Sequence, residues 1–102
     1  MDIINIRRSV RKYQDKAIEK EKIELILRAA MQAPSARNQQ AWRFLVCTQK
    51  NKNFELSEAT PNMKFLKNAP LVIVFLTSLC DLTVPNMYCQ DLSASVENAM
   101  LE

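Results

Sequence analysis

The sequence contains neither glycine nor histidine among its 102 residues. Average usage of about 7% would place roughly seven glycines in a chain of this length. Walker loops, Rossmann G-x-G-x-x-G turns and EF-hands all require glycine at fixed positions, so the sequence contains none of them. Ser-His-Asp triads, zincin sites and facial-triad iron sites require histidine and are excluded for the same reason. A phosphate group bound here must therefore be held by side chains and helix ends.

The remaining composition is that of an ordinary globular protein, with 48% hydrophobic and 25% charged residues. The length fits one small domain, and we expect residues 1–102 to belong to a single domain with a thin core. Three cysteines follow no metal or redox spacing, so we predict reduced, largely buried thiols and no metal site. The N-terminus lacks the pattern of a signal peptide and the longest apolar run is too short to span a membrane. These features predict a cytoplasmic protein.

Charge is distributed unevenly along the chain. Residues 7–16 carry five cationic side chains and one carboxylate, whereas residues 81–102 carry four carboxylates and no lysine or arginine. The first segment is therefore a candidate anion-binding patch. The net charge of +3 is too small to predict a nucleic-acid-binding protein by itself. The arginine cluster at residues 7–11 also lacks interleaved aromatic residues for base stacking, so nucleic acid is an unfavoured partner.

Hydrophobic periodicity predicts an alternation of helices and strands. The predicted helices cover residues 3–7, 19–31, 50–59 and 90–102, residues 61–68 form a short helix or turn, and the predicted strands cover 42–48 and 71–77. Both strands are apolar enough to be buried on both faces. A sheet with two strands is marginal by itself. We therefore expect an incomplete part of a larger α+β domain, or a chain that relies on a partner.

Two polar segments are candidates for binding. The first, Arg7-Arg8-Ser9-Val10-Arg11, concentrates guanidinium groups suited to bidentate phosphate contacts, although a solvated basic face would look the same. The second, residues 34–42, places amide and hydroxyl groups between a predicted helix and a strand. It could equally be a stable loop without a ligand. Its Trp42 is expected to belong to the core.

Taken in order, several segments resemble the N-terminal half of the nitroreductase family of FMN-dependent oxidoreductases. They are Arg-Arg-Ser-Val-Arg-Lys-Tyr at 7–13, Pro-Ser-Ala-x-Asn-x-Gln-x-Trp-x-Phe at 34–44, Asn-Ala-Pro-Leu-Val-Ile-Val at 68–74, and Asp91-x-x-Ala94-x-x-Glu97-Asn98. The resemblance covers nearly the whole chain. It implies an α+β three-layer sandwich in which helices flank a mixed or antiparallel sheet, incomplete here. It also implies a homodimer with FMN at the subunit interface.

The resemblance assigns roles to individual residues. Arg7, Arg8, Ser9 and Arg11 would hold the FMN phosphate and ribityl chain, and Asn62 would approach the pyrimidine edge of the flavin. The residues expected to reach the flavin from the partner subunit, with Gln40 behind them, are Pro34, Ser35, Ala36 and Asn38.

The chemistry implied by the family is ping-pong hydride transfer. NAD(P)H would reduce the flavin at N5, and the flavin would then reduce a small-molecule acceptor such as a nitroaromatic or a quinone, without a catalytic protein side chain. Arg37 stands where many relatives carry glycine, which suggests contact with an anionic substrate. Two alternatives remain at this point: a non-catalytic module that binds anions or nucleic acid through residues 7–16, and a flavoprotein of the same fold with other chemistry.

Overall fold

The computed structural model describes residues 2–102 and forms a helix-rich α+β chain with one small sheet. The α-helices are α1 (Asp2–Ile6), α2 (Lys20–Met31), α3 (Lys50–Ser57) and α4 (Tyr88–Leu101), and the strands are β1 (Arg43–Cys47) and β2 (Val72–Leu76). Four 3-10 helices cover Ala36–Asn38, Pro61–Asn68, Leu79–Asp81 and Pro85–Met87. Each helix and strand predicted from the sequence is present, with ends shifted by at most two residues.

The packing of α2 against α4 is the clearest helix–helix contact. The sequence of α2 places apolar residues at helical spacing, and Pro34 lies just beyond its end because the residue before a proline disfavours helical geometry. Ala30 of α2 and Ser95 of α4 are both fully buried. Their small side chains allow close approach, and the Ser95 hydroxyl donates a hydrogen bond to the Ala30 carbonyl oxygen at 2.9 Å. The Asn98 side chain donates another to the Ala29 carbonyl oxygen at 3.1 Å.

The chain divides into two compact units. The first contains the chain up to Arg7, Lys20–Phe44 and Phe75–Glu102, and thus holds α1, α2 and α4. The second contains Arg8–Glu19 and Leu45–Val74, where α3 packs against the 3-10 helix Pro61–Asn68. In the second unit, the buried Asn53 of α3 donates a hydrogen bond to the Ala69 carbonyl oxygen at 3.0 Å.

Strands β1 and β2 pair in a two-stranded sheet, and Phe44 and Phe75 meet edge to face at 5.3 Å between ring centroids. The prediction that both strands are buried on both faces is wrong. Leu45 and Val46 are 48% and 37% exposed, and in β2 Val72 is the buried residue. Both strands are less buried than their apolar sequences predict, because a two-stranded sheet has few neighbouring elements to cover its faces.

The apolar core is thin. Among residues 2–102, six hydrophobic residues are buried, four of them alanines, whereas fifteen large hydrophobic residues are exposed. This chain therefore leaves much of its apolar surface uncovered, as was expected for an incomplete domain. Cys80 and Cys89 are exposed and Cys47 is half-buried, which corrects the expectation of buried thiols. Within the described range, every helix is too short or too polar to cross a membrane.

Candidate functional site

The loop between α2 and β1 is fixed by a buried carboxylate on α4. Asp91 lies in the first turn of α4 and is 3% exposed. One of its oxygens accepts a hydrogen bond from the Ala36 backbone N–H at 2.8 Å, and the other accepts one from the Gln39 side-chain amide at 2.7 Å. The Gln39 side chain also donates to the Val84 carbonyl oxygen at 3.1 Å and accepts from the Val84 N–H at 2.9 Å. The loop is thus fastened to α4 and to the segment before it.

Three non-glycine residues of this loop have left-handed backbone conformations. The φ angles of Arg37, Asn38 and Gln40 are 50°, 54° and 50°. A left-handed conformation costs roughly 1–2 kcal/mol for a residue with a Cβ atom and less for asparagine. Hydrogen bonds to a charged group contribute about 1.5–3 kcal/mol each, so the two bonds accepted by Asp91 are large enough to offset this strain. The departure from glycine at position 37 therefore has a physical cost that the sequence alone did not reveal.

We expect Arg37→Gly to be more stable than Arg37→Ala by about 1–2 kcal/mol, because glycine adopts the left-handed region without the Cβ clash. Arg37→Ala is the matched control, since it removes the same side chain and retains the strain. The free energy of unfolding from urea denaturation measures the difference. Equal stability of the two variants would show that the backbone at position 37 is not strained.

The loop presents side chains to solvent, and four of its backbone N–H groups, those of Ala36, Asn38, Gln39 and Gln40, are already hydrogen-bonded within the chain. The N–H groups of Asn38 and Gln39 donate to the carbonyl oxygens of Ser35 and Ala36, and the N–H of Gln40 donates to the Ser35 hydroxyl at 2.9 Å. The exposed residues of the loop are Pro34, Arg37, Asn38 and Gln40, while Ser35 and Ala36 are half-buried. A ligand at this surface would meet a guanidinium group and carboxamides, as the absence of glycine predicts.

The predicted phosphate segment has no helix or strand between Arg7 and Glu19, as expected from its sequence. In the first unit, Nε of Arg7 lies 3.7 Å from a carboxylate oxygen of Glu97 on α4. In the second unit, Arg8, Ser9 and Arg11 are exposed. Glu97 therefore competes with any phosphate for Arg7.

Arg11 is held beside the 3-10 helix Pro61–Asn68. Its guanidinium carbon lies 5.6 Å from the centroid of the Phe65 ring, whose other neighbour is the Tyr13 ring at 6.4 Å. Asn62 is exposed and precedes Phe65 by three residues. Residues three apart on a 3-10 helix lie on the same face, so Asn62 shares the face that Arg11 contacts. Two of the predicted cofactor-binding residues thus lie at this 3-10 helix in the second unit: Asn62 within it and Arg11 against its Phe65.

Within the first unit, α4 contacts Arg7 of the predicted phosphate segment and the loop between α2 and β1. Glu97 pairs with Arg7. Asp91, which lies six residues before Glu97 and about 9 Å from it along the helix axis, binds the loop between α2 and β1. Tyr88 is the first residue of α4. Its pKa is raised above the ordinary value, first by a hydrogen bond with Cys89, then by the electrostatic effect of Cys89 and by partial burial. Tyr88 is therefore neutral near pH 7.

Two cavities lie in the second unit, of about 260 Å³ and 410 Å³. Tyr13, Asp15, Lys50, Lys67 and Asn68 line the first, and Lys50 and Asp15 form an ion pair there at 2.6 Å. The second lies between β1 and α3 and is mainly apolar. None of the predicted cofactor-binding residues lines either one. Residues 2–102 also contain no group of three or more histidine, cysteine, aspartate or glutamate side chains able to hold a metal ion.

Sequence reasoning missed Asp91 and Gln39 as residues that shape this loop. Asp91 had been noted in a motif of α4, but its partner Ala36 lies 55 residues earlier. One sequence feature indicates this role. Asp91 is a carboxylate in the first turn of an amphipathic helix and is spaced so that it shares a face with small residues, which is typical of an inward-facing group. The hydrogen-bonding stripe Asp91, Ser95 and Asn98 has helical spacing and faces α2 and the loop.

This stripe also bears on how α4 could contact a second copy in the homodimer that the resemblance implies. Part of the small-residue face of α4 packs within its own chain, since Ser95 is buried against α2. A second stripe faces outward and contains exposed Gln90, Ser93, Glu97 and Met100. Any contact of α4 with a second copy would use this outer stripe.

Comparison with known proteins identifies the fold and the family. The family model described as "Nitroreductase family" matches residues 4–62. A protein from Archaeoglobus fulgidus, provisionally named NADH dehydrogenase/NAD(P)H nitroreductase, is 41% identical over 102 residues, which cover 99% of this chain and 59% of that protein. The chain thus spans somewhat more than half the length of this curated relative.

Two solved structures show the same architecture. A provisionally named NADH oxidase from Clostridium acetobutylicum superposes with a TM-score of 0.91 and 48% identity, covering 98% of this chain and 60% of that one. An FMN-dependent nitroreductase from Clostridium difficile superposes with a TM-score of 0.89 and 37% identity, covering 97% of this chain and 57% of that one. The chain therefore has part of the nitroreductase α+β fold, and it belongs to the nitroreductase family.

Proposed function

We propose that the protein is an FMN-dependent oxidoreductase that takes a hydride from NAD(P)H and passes it to a small-molecule acceptor. The observation that carries the proposal is the arrangement in the second unit, where the Arg11 guanidinium lies over the Phe65 ring of the 3-10 helix that also contains the exposed Asn62. A cation and a carboxamide on one surface match the two polar ends of FMN, its phosphate and its pyrimidine edge.

The phosphate end is assigned to Arg8, Ser9 and Arg11, with Arg7 beside them. Guanidinium groups bind phosphate oxygens in a bidentate manner, and the serine hydroxyl adds a short neutral donor. Exposure of Arg8, Ser9 and Arg11 leaves them accessible to such a ligand. The 37% identical Clostridium difficile protein is an FMN-dependent nitroreductase, which supports this cofactor.

The loop Pro34–Gln40 is assigned to the flavin of a second copy. Its exposed carboxamides, Asn38 and Gln40, can hydrogen-bond to heteroatoms at a ring edge. The exposed apolar side chains and the outer stripe of α4 support a homodimer, because both present surface that a second copy could cover. The subunit interface would then contain two FMN sites, each built from both chains.

FMN, when bound, supplies the hydride-accepting and hydride-donating chemistry, so no side chain has to act as acid, base or nucleophile. The absence of histidine is consistent with this mechanism. The role of the protein is to orient the cofactor and to place cations and amide donors where they stabilise negative charge on the reduced ring.

The test is anaerobic reduction of the FMN-loaded protein by NADH and by NADPH, followed by addition of a quinone or a nitroaromatic. We expect loss of the oxidised flavin absorbance with at least one nucleotide and its return on addition of acceptor, with parallel lines in steady-state kinetics. A flavin-loaded protein that neither nucleotide reduces would refute the oxidoreductase and leave a flavoprotein with other chemistry.

Arg37 is proposed to favour anionic substrates. Replacing it with glycine should lower kcat/KM for a nitrobenzoate about two- to fivefold relative to the neutral methyl ester of the same compound, since an exposed ion pair contributes about 0.2–1 kcal/mol. Arg43→Gln, which removes a similarly exposed cation elsewhere in the first unit, is the control. If Arg37→Gly leaves the ratio of kcat/KM for the nitrobenzoate to kcat/KM for its methyl ester unchanged, the proposed role of Arg37 is wrong.

A further inference from the structure

We propose that Asp91 and Gln39 are positioning residues for flavin binding, through their hold on the loop Pro34–Gln40. This inference rests on the proposed function, because the loop is taken to contact FMN. It adds residues that do not themselves touch the cofactor. Asp91 is 3% exposed and lies behind the loop, with both carboxylate oxygens occupied by loop donors.

The hydrogen-bond pattern requires a carboxylate at position 91. The two groups aimed at it, the Ala36 N–H and the Gln39 amide, are both donors, and each takes a separate oxygen. Asparagine would offer one acceptor and one additional donor, so one loop group would face a donor. No partner other than Asp91 is recorded in the structure for the Ala36 N–H, and a buried donor without a partner is unfavourable.

The loop conformation depends on this hold. Arg37, Asn38 and Gln40 have positive φ angles, and the Gln39 side chain between them is tied to Asp91 and to Val84. Without the two attachments the strained residues can relax to negative φ, which redirects the exposed side chains of Arg37, Asn38 and Gln40. Asp91 and Gln39 therefore act on the ligand-facing side chains through the backbone.

Limited trypsin digestion tests the hold itself, since trypsin cleaves after the exposed Arg37 when the loop opens. In Asp91→Asn we expect cleavage after Arg37 to be about tenfold faster than in wild type, with cleavage in α2 after Arg28 unchanged. Asp81→Asn is the matched control, because Asp81 is an exposed carboxylate of the same unit that pairs with Arg43. Equal acceleration at all sites would mean general destabilisation and would overturn the proposal, as would unchanged cleavage after Arg37.

FMN affinity tests the functional consequence. If the competent loop conformation falls to a tenth of the population, the dissociation constant for FMN rises about tenfold in Asp91→Asn, whereas Asp81→Asn stays near wild type. Gln39→Ala removes the three hydrogen bonds of this side chain but keeps the bond from the Ala36 N–H to Asp91 and creates no donor–donor contact, so it should also raise the dissociation constant even if Asp91→Asn folds poorly. Wild-type protein that binds no FMN would refute the proposed function. Wild-type protein that binds FMN no more tightly than Asp91→Asn and Gln39→Ala would refute only the positioning role.

A double-mutant cycle separates positioning from general support of the fold. With Arg37→Gly already present, Asp91→Asn should weaken FMN binding about threefold, since glycine adopts positive φ without the attachment. If the losses of FMN affinity in the two single variants simply multiply in the double variant, Asp91 does not act through the strained backbone and this inference is overturned.

Discussion

Replacing both Arg8 and Arg11 with alanine is expected to weaken FMN binding by about a hundredfold or more while leaving riboflavin binding within about threefold of wild type. Each arginine–phosphate contact is a charge-assisted interaction of about 1.5–3 kcal/mol, and riboflavin lacks the phosphate. The measurement is a fluorescence titration of each flavin into the purified protein.

The control for this variant is Lys12→Ala/Lys16→Ala, which removes two cations from the same segment, so the net charge changes equally. We expect it to retain most of the FMN affinity, because neither lysine is assigned to the phosphate. Equal losses of FMN and riboflavin in the arginine variant would place these residues outside the phosphate site. They would then act on the flavin ring or on folding.

Trp42→Ala is expected to destabilise the protein by about 3–5 kcal/mol, the usual cost of deleting a large buried aromatic side chain. Trp42 is 9% exposed and is the largest of the six buried hydrophobic residues among those described. Total stabilities are typically about 5–15 kcal/mol, so this loss would leave a large unfolded fraction at moderate temperature. Urea denaturation, or thermal unfolding followed by circular dichroism, measures the effect.

Phe54→Ala is the matched control, since the Phe54 side chain is 50% exposed and lies on α3. We expect a loss of about 1 kcal/mol, because only about half of this side chain leaves water on folding. Similar losses in the two variants would mean that Trp42 is not the centre of the thin core. Its position directly after the loop Pro34–Gln40 makes it the point at which that loop enters the core.

Local sequence signals predicted the elements well, because helix ends and strands follow from periodicity and proline placement. The end of α2 before Pro34 is an example. The same signals did not predict how much of each strand is covered. Burial depends on neighbouring strands and helices, and within residues 2–102 each strand has one strand partner.

The candidate site was predictable in composition and less so in geometry. The arginine segment and the amide loop were recognisable from their side chains alone. The attachment of the loop to Asp91 joins residues 55 positions apart, and the contact between Arg11 and Phe65 also depends on tertiary structure. Positive φ angles at three non-glycine residues oppose local preference, so they arise only where tertiary contacts compensate.

The pairing of Arg7 with Glu97 also could not be inferred, although both charges had been noted. The basic segment and the acidic end of the chain were visible as opposite charge runs. The structure pairs Arg7 with Glu97 at 3.7 Å, and this pair reduces the availability of Arg7 for an external anion. Opposite charge runs predict attraction, but the particular pair is set by tertiary structure.

The most direct test of the central claim is gel filtration of the purified protein after incubation with excess FMN, with absorbance and light-scattering detection. We predict that flavin absorbance elutes with the protein at about one FMN per chain, at the mass of a dimer. Protein that remains folded but elutes colourless, with all FMN at the small-molecule position, would contradict the account.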